Sequence, residues 1–129
     1  MEKLKIGLIG LGQRGAAYGM TDGSIGLLGN ILNNSDVLVT ALCDGYEERI
    51  KFAAEKVMAA GQKKPLETKD YNEVLSSEVD AVIVCTSWAS HVEVALAAME
   101  KGIAVAIEVG GTHNLGDMQK LVETYERTK

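Results

Sequence analysis

Leu4-Lys5-Ile6-Gly7-Leu8-Ile9 runs directly into Gly10-Leu11-Gly12-Gln13-Arg14-Gly15, and the reading of this junction decides the fold. The first part is a short apolar run, the pattern of a strand covered on both faces. The second spaces its glycines as G-x-G-x-x-G. In that pattern the first glycine permits a tight turn, the second lets the main chain approach an anion with no Cβ in the way, and the third lets the next helix pack close to the strand. The N–H groups opening that helix, with its positive pole, would face the anion. A glycine-rich turn arising by chance is the competing reading, because the chain has 14 glycines. The sequence downstream of the turn argues against it.

Working outward, similar apolar runs recur at Val37–Cys43, Val79–Cys85 and Ile103–Ile107, rich in Val, Ile and Leu and without clean alternation. Helical spacing separates them. Ile50, Ala53, Ala54 and Val57 share one helix face, as do Val92, Ala95, Leu96 and Met99. Leu115, Met118, Val122 and Tyr125 form a third such face, with Asn114 as its expected N-cap. Gly102 stands where the second helix must stop. After Pro65, Leu66–Thr68 reads as a short strand and Tyr71–Leu75 as a short helix. Strict alternation of strand and helix predicts an α/β fold: a doubly wound parallel sheet with right-handed crossovers and helices on both faces. Gly23–Leu32 interrupts the first crossover. It reads either as an extension of that crossover or as a lid over a bound ligand.

The second run ends in Asp44. An acid there accepts hydrogen bonds from ribose hydroxyls and repels a 2′-phosphate, so the glycine turn and Asp44 together predict a Rossmann dinucleotide site that prefers NAD to NADP. The separation from the glycines exceeds the usual ~20 residues, and the Gly23–Leu32 insertion accounts for the excess. Asp44 also reads as a helix N-cap, and Arg49 keeps NADP open. Arg14 reads either as extra charge for a phosphate or as a solvated side chain.

In such sheets ligands lie beyond the carboxyl ends of the strands. Thr86-Ser87-Trp88-Ala89-Ser90-His91, at the end of the third long run, is therefore expected to face the cofactor. Trp88, the only tryptophan, would pack on the nicotinamide side or anchor a neighbouring domain. His91 would contact cofactor or substrate, or serve the first turn of its helix.

Composition narrows the classes. A chain of 129 residues suits one domain, and 47% hydrophobic with 24% charged residues is ordinary for a globular protein. A net charge of -5 argues against nucleic-acid and anionic-membrane partners. Cys43 and Cys85 close apolar runs and read as buried small hydrophobes. No spacing of His and Cys predicts a metal site. No run approaches the ~18 apolar residues of a membrane span. The start Met1-Glu2-Lys3 lacks a secretory signal pattern, so a cytoplasmic setting is expected.

Taken together, Gly10–Gly15, Asp44, Val79–His91 and Gly102–Gly111 resemble, in order and over nearly the whole chain, the N-terminal domain of the Gfo/Idh/MocA oxidoreductases. That family has a glycine turn, an acid after the second strand, a segment of the form D-a-V-i-v-x-T-p-x-x-x-H, and a strand ending in Glu-Lys-Pro. The resemblance implies hydride transfer between a nicotinamide cofactor and a sugar-like or cyclitol substrate. It also implies that Gly10, Gly12, Gln13, Arg14, Gly15, Asp44, Thr86, Ser87, Trp88, His91 and Glu108 belong to the cofactor site.

There are two departures. Glu108-Val109-Gly110 stands where the family has Glu-Lys-Pro. The family lysine is credited with helping proton transfer, and Val109 has no titratable group to do so; no catalytic residue is assigned. Thr86-Ser87-Trp88 and Glu108-Val109 are instead similar to a branch of NAD-dependent glycoside hydrolases, which oxidise, eliminate, hydrate and reduce within one turnover. The second departure is length. The family's substrate domain, which commonly makes the oligomer interface, would follow residue 129. The chain alone is expected to bind nucleotide, to catalyse little, and to carry apolar surface that favours self-association. A nucleotide-binding module without catalysis is the third reading.

Overall fold

The computed structural model describes residues 2–87, 89–109 and 114–129. Trp88, with its two readings, lies outside the described residues, as do Gly110 and Gly111. The elements in chain order are β1 (Leu4–Ile9), α1 (Gln13–Ala16), α2 (Gly26–Leu32), β2 (Val37–Cys43), α3 (Glu47–Ala59), β3 (Leu66–Thr68), α4 (Tyr71–Leu75), β4 (Ala81–Val84), α5 (His91–Glu100), β5 (Ala104–Ile107) and α6 (Leu115–Thr128). The strands form one five-stranded sheet in the order β3-β2-β1-β4-β5, and every pairing is parallel. The chain winds outward from β1 in both directions, as the alternating pattern predicts.

Helices cover both faces. On one face Leu8, Val39 and Leu42 of the sheet pack with Leu28 of α2 and Ile50, Ala53, Ala54 and Val57 of α3. On the other, Ala41, Val82 and Val84 pack with Val74 and Leu75 of α4 and Val94 and Ala98 of α5. A bulge in β2 sorts its residues between these layers. Ile6 pairs with Val39 and Gly7 with Ala41, so Thr40 is passed over; the extra residue lets Val39 and Leu42 share one face. At the start of β2, where β3 has not yet begun to pair, the Gln62 side chain takes a strand's place. Its Oε1 accepts Val39 N–H at 2.8 Å and its Nε2 donates to the Val37 carbonyl at 3.1 Å.

The first crossover is broken. Helix α1 has only 4 residues and ends at Ala17, whose φ of 58° is left-handed. Gly26–Leu32 then forms α2, and its Leu28 is fully buried against β1 and α3. The helical part of the insertion thus extends the crossover.

The last helix forms where its spacing places it. Asn114 caps it as predicted, accepting Asp117 N–H at 2.7 Å. Its apolar stripe, however, faces outward: Leu115, Met118, Val122 and Tyr125 are 78%, 52%, 58% and 56% exposed. The helix leans on α5 through its other side, where Thr124 is buried and Arg127 pairs with Glu100. Periodicity shows which residues share a face, not whether anything covers it.

Candidate functional site

The register of the sheet aligns the carboxyl ends of all its strands. Ile107, Val84, Ile9, Cys43 and Thr68 form one row across β5, β4, β1, β2 and β3. The next residues, Glu108, Cys85, Gly10, Asp44 and Lys69, therefore begin their loops along one edge. The ladder continues into them: Gly10 N–H donates to the Cys43 carbonyl at 2.8 Å, Cys85 N–H to Ile9 at 2.7 Å, and Glu108 N–H to Val84 at 3.0 Å. The direction of winding reverses between β1 and β4, and that switch point is where an open α/β sheet leaves a crevice.

The crevice is a cleft of about 390 Å³ lined by Gly10, Gly12, Asp44, Tyr46, Arg49, Lys69, Thr86 and Ser87, among others. A larger hollow of about 750 Å³, around Lys3 and Thr40, lies at the amino end of β2, away from the strand ends that carry this chemistry.

The turn glycines have different reasons to be glycine. A Cβ on Gly10 would lie 2.5 Å from the Cys85 main chain, and φ there is +98°; a Cβ on Gly15 would lie 2.1 Å from the Gly10 carbonyl oxygen. Both are required by the fold itself. Gly12 is not: its φ is -80°, and the nearest atom to an added Cβ is the tip of Arg49 at 3.4 Å. Its bare face turns to the cleft. The amides of Gly12, Gln13, Arg14 and Gly15 make no hydrogen bond among the described residues. With α1 so short, a macrodipole adds little here; bare N–H groups are what this corner offers an anion.

Asp44 is buried, and its carboxylate is largely committed to main chain. Oδ2 accepts Leu11 N–H at 2.7 Å and Oδ1 accepts Tyr46 N–H at 2.9 Å. It does not cap α3, whose N-cap is Tyr46; it pins the glycine turn to the end of β2. Arg49 lies 3.8 Å from Asp44 and stacks over the Tyr46 ring at 4.6 Å. Sequence reasoning does not single out Tyr46, Lys69 or Tyr71. The strand-end rule that selects Thr86 and Ser87 would select the residues after β3 as well.

Gln13 and Arg14 open onto an adjoining hollow of about 510 Å³ beside Ser24 and Asn30. Arg14 is neither simply solvated nor turned to the bare amides. Its Nε donates to Glu108 Oε2 at 3.1 Å. Glu108 also accepts Val109 N–H at 3.2 Å; that bond first, then Arg14, then nearby His91, holds its carboxyl below the usual carboxylate range. His91 opens α5 and is only 1% exposed, behind the cleft rather than on its wall. Neither ring nitrogen has a partner among the described residues. Burial pushes the Cys43 thiol up to about 12 and the Cys85 thiol up to about 11. Burial thus favours the neutral thiol form at both positions.

Among the described residues no group of His, Cys, Asp and Glu could hold a metal ion, and no helix is long and apolar enough to cross a membrane.

Known proteins share this fold. Residues 4–129 match the family model described as an oxidoreductase family with an NAD-binding Rossmann fold. A Glycosyl hydrolase family 109 protein from Streptomyces niveus is 36% identical over 131 residues, which cover 98% of this chain and 25% of the relative. A dehydrogenase from Chromobacterium violaceum superimposes with a TM-score of 0.78 at 26% identity, over 99% of this chain and 34% of that one. The WlbA dehydrogenase of Bordetella pertussis, solved with NADH and UDP-GlcNAcA, shares the fold with a TM-score of 0.79 at 17% identity, over 98% of this chain and 35% of that one. The chain thus spans a quarter to about a third of the length of these relatives. It belongs to the Gfo/Idh/MocA oxidoreductase family and carries that family's NAD-binding Rossmann fold.

Proposed function

We propose that this domain holds NAD across the carboxyl edge of its sheet, as the N-terminal unit of a two-unit enzyme acting on a sugar-like substrate. The observation that carries this reading is Gly12. Its φ is not left-handed and no main chain crowds the position, yet its bare face turns to the cleft, and the amides beside it make no hydrogen bond among the described residues. A diphosphate is the group whose approach such a surface fits. The fit extends along the edge. Asp44, Tyr46, Arg49 and Lys69 would hold the adenosine side, and Thr86, Ser87 and Glu108 the nicotinamide side. Asp44 keeps lone pairs for ribose hydroxyls and disfavours a 2′-phosphate, which supports NAD over NADP. When bound, the nicotinamide supplies hydride transfer to or from a substrate carbon. The chain's part is to bind, orient and leave that ring open to a substrate unit. The lengths of the relatives support such a unit beyond this domain.

Val109 favours a second reading for the whole protein. With valine at the position of the family lysine, this domain lacks a proton-transfer residue at the usual place. That suits a glycoside hydrolase that oxidises and re-reduces its sugar in one turnover, in line with the name of the Streptomyces relative.

Calorimetric titration of the chain with NAD and NADP, alongside circular dichroism to confirm folding, tests the first claim. Binding of NAD several-fold tighter than NADP is expected; a folded chain that binds neither would overturn it. With the substrate unit attached, NADH accumulating during turnover would decide for a dehydrogenase, and sugar release without accumulation for a hydrolase.

A further inference from the structure

We infer that Arg14 is a positioning residue: it fixes the Glu108 carboxylate at the nicotinamide end of the edge instead of serving the diphosphate directly. The inference rests on the reading that the edge holds NAD.

Three observations carry it. First, Arg14 belongs to the glycine turn yet reaches a residue 94 positions away, with Nε on Glu108 Oε2 at 3.1 Å. Second, the Glu108 side chain is well covered at 18% exposure, whereas Arg14 is 71% exposed. The arginine is the adjustable partner, and the carboxylate is the one held. Third, Glu108 Oε1 accepts Val109 N–H, so each carboxylate oxygen is tethered from a different side. His91 lies behind, and Cys85 beside the pair stays a neutral thiol. A carboxylate tethered in this way presents its remaining lone pairs in fixed directions. It is an acceptor for N–H or O–H groups of the nicotinamide half, a carboxamide or a ribose hydroxyl.

The two roles separate cleanly in binding. ADP carries the diphosphate but no nicotinamide half, whereas NADH carries both. If Arg14 acts through Glu108, Arg14→Gln lowers NADH affinity about 3- to 10-fold, the size expected for one exposed charge-assisted contact, and leaves ADP affinity unchanged. In a Glu108→Gln background the same substitution then has no further effect, and the fluorescence change of bound NADH is altered alike in both single variants. Thermal melts should coincide, since Arg14 is exposed. Equal loss of ADP and NADH affinity, or additive effects in the double variant, would overturn the assignment to Glu108. Failure of the unsubstituted, folded chain to bind NADH or ADP at all would instead strike the nucleotide reading beneath it.

Discussion

Replacing Gly12 by alanine isolates the close approach of a ligand from the needs of the fold. With φ at -80° and only the Arg49 tip within 3.4 Å, the alanine meets no main chain. The lower entropy of the unfolded chain is set against the Gly12 ψ of -144°, which alanine adopts less readily, so stability should change by no more than about 1 kcal/mol. The added methyl projects about 1.5 Å into the cleft, one carbon–carbon bond. A diphosphate pushed back by that distance loses at least one main-chain contact, worth about 1.5–3 kcal/mol for a charged acceptor. The expected result is an NADH dissociation constant raised about 10- to 150-fold, with a urea midpoint close to that of the parent chain. Gly15→Ala is the contrast: its Cβ would sit 2.1 Å from the Gly10 oxygen, so the turn must move, at ~1–3 kcal/mol or more. Titration calorimetry and urea unfolding on both variants measure the separation. Undiminished NADH binding by Gly12→Ala, or its unfolding, would refute the reasoning.

Asp44→Ala should strip the buried Leu11 N–H of its acceptor and destabilise the chain by roughly 1–3 kcal/mol, read as a lower urea midpoint; an unchanged midpoint would show that the 2.7 Å bond does not hold the turn. Cys43 and Cys85, raised to about 12 and about 11, should resist iodoacetamide at mildly alkaline pH until the chain unfolds, as followed by mass spectrometry. Because their folded values lie above the unfolded one, the unfolded chain releases these protons first. Their contribution to stability is therefore intact below about pH 8.5 and should fall as pH climbs through about 11 and 12, measurable as a declining melting temperature. Met118→Asp and Val122→Asp should each change stability by no more than about 0.5 kcal/mol, since both side chains already face solvent; a large loss would mean that the stripe is covered in solution, which sedimentation would reveal as self-association.

Local pattern carries much of this fold. Leu4–Ile9, Val37–Cys43 and Leu66–Thr68 are strands with the boundaries their apolar runs suggest. The run Val79–Cys85 is longer than its strand, Ala81–Val84, because pairing with β1 begins only at Ala81. The site is legible as an edge but not as a set of contacts. The motif points Asp44 outward to a ribose; that it also grips Leu11 depends on how β1 and β2 align, which no local pattern records. The partner of Arg14 lies beyond the reach of spacing rules because it arrives on the last strand. The break after α1 escapes a sequence reading for a different reason. Ala17 in a left-handed conformation has no residue signature, since alanine is the best helix former.

The Gln62 amide, bonded to Val37 and Val39, closes the stretch of β2 whose margin away from β1 has no strand beside it. An open sheet margin is a template for pairing with other chains, and here one neutral side chain seals it. Deamidation to a glutamate would keep the acceptor for Val39 but set an anionic oxygen against the Val37 carbonyl. Chemical ageing at that single position would reopen the margin and turn it into a seed for sheet-to-sheet aggregation.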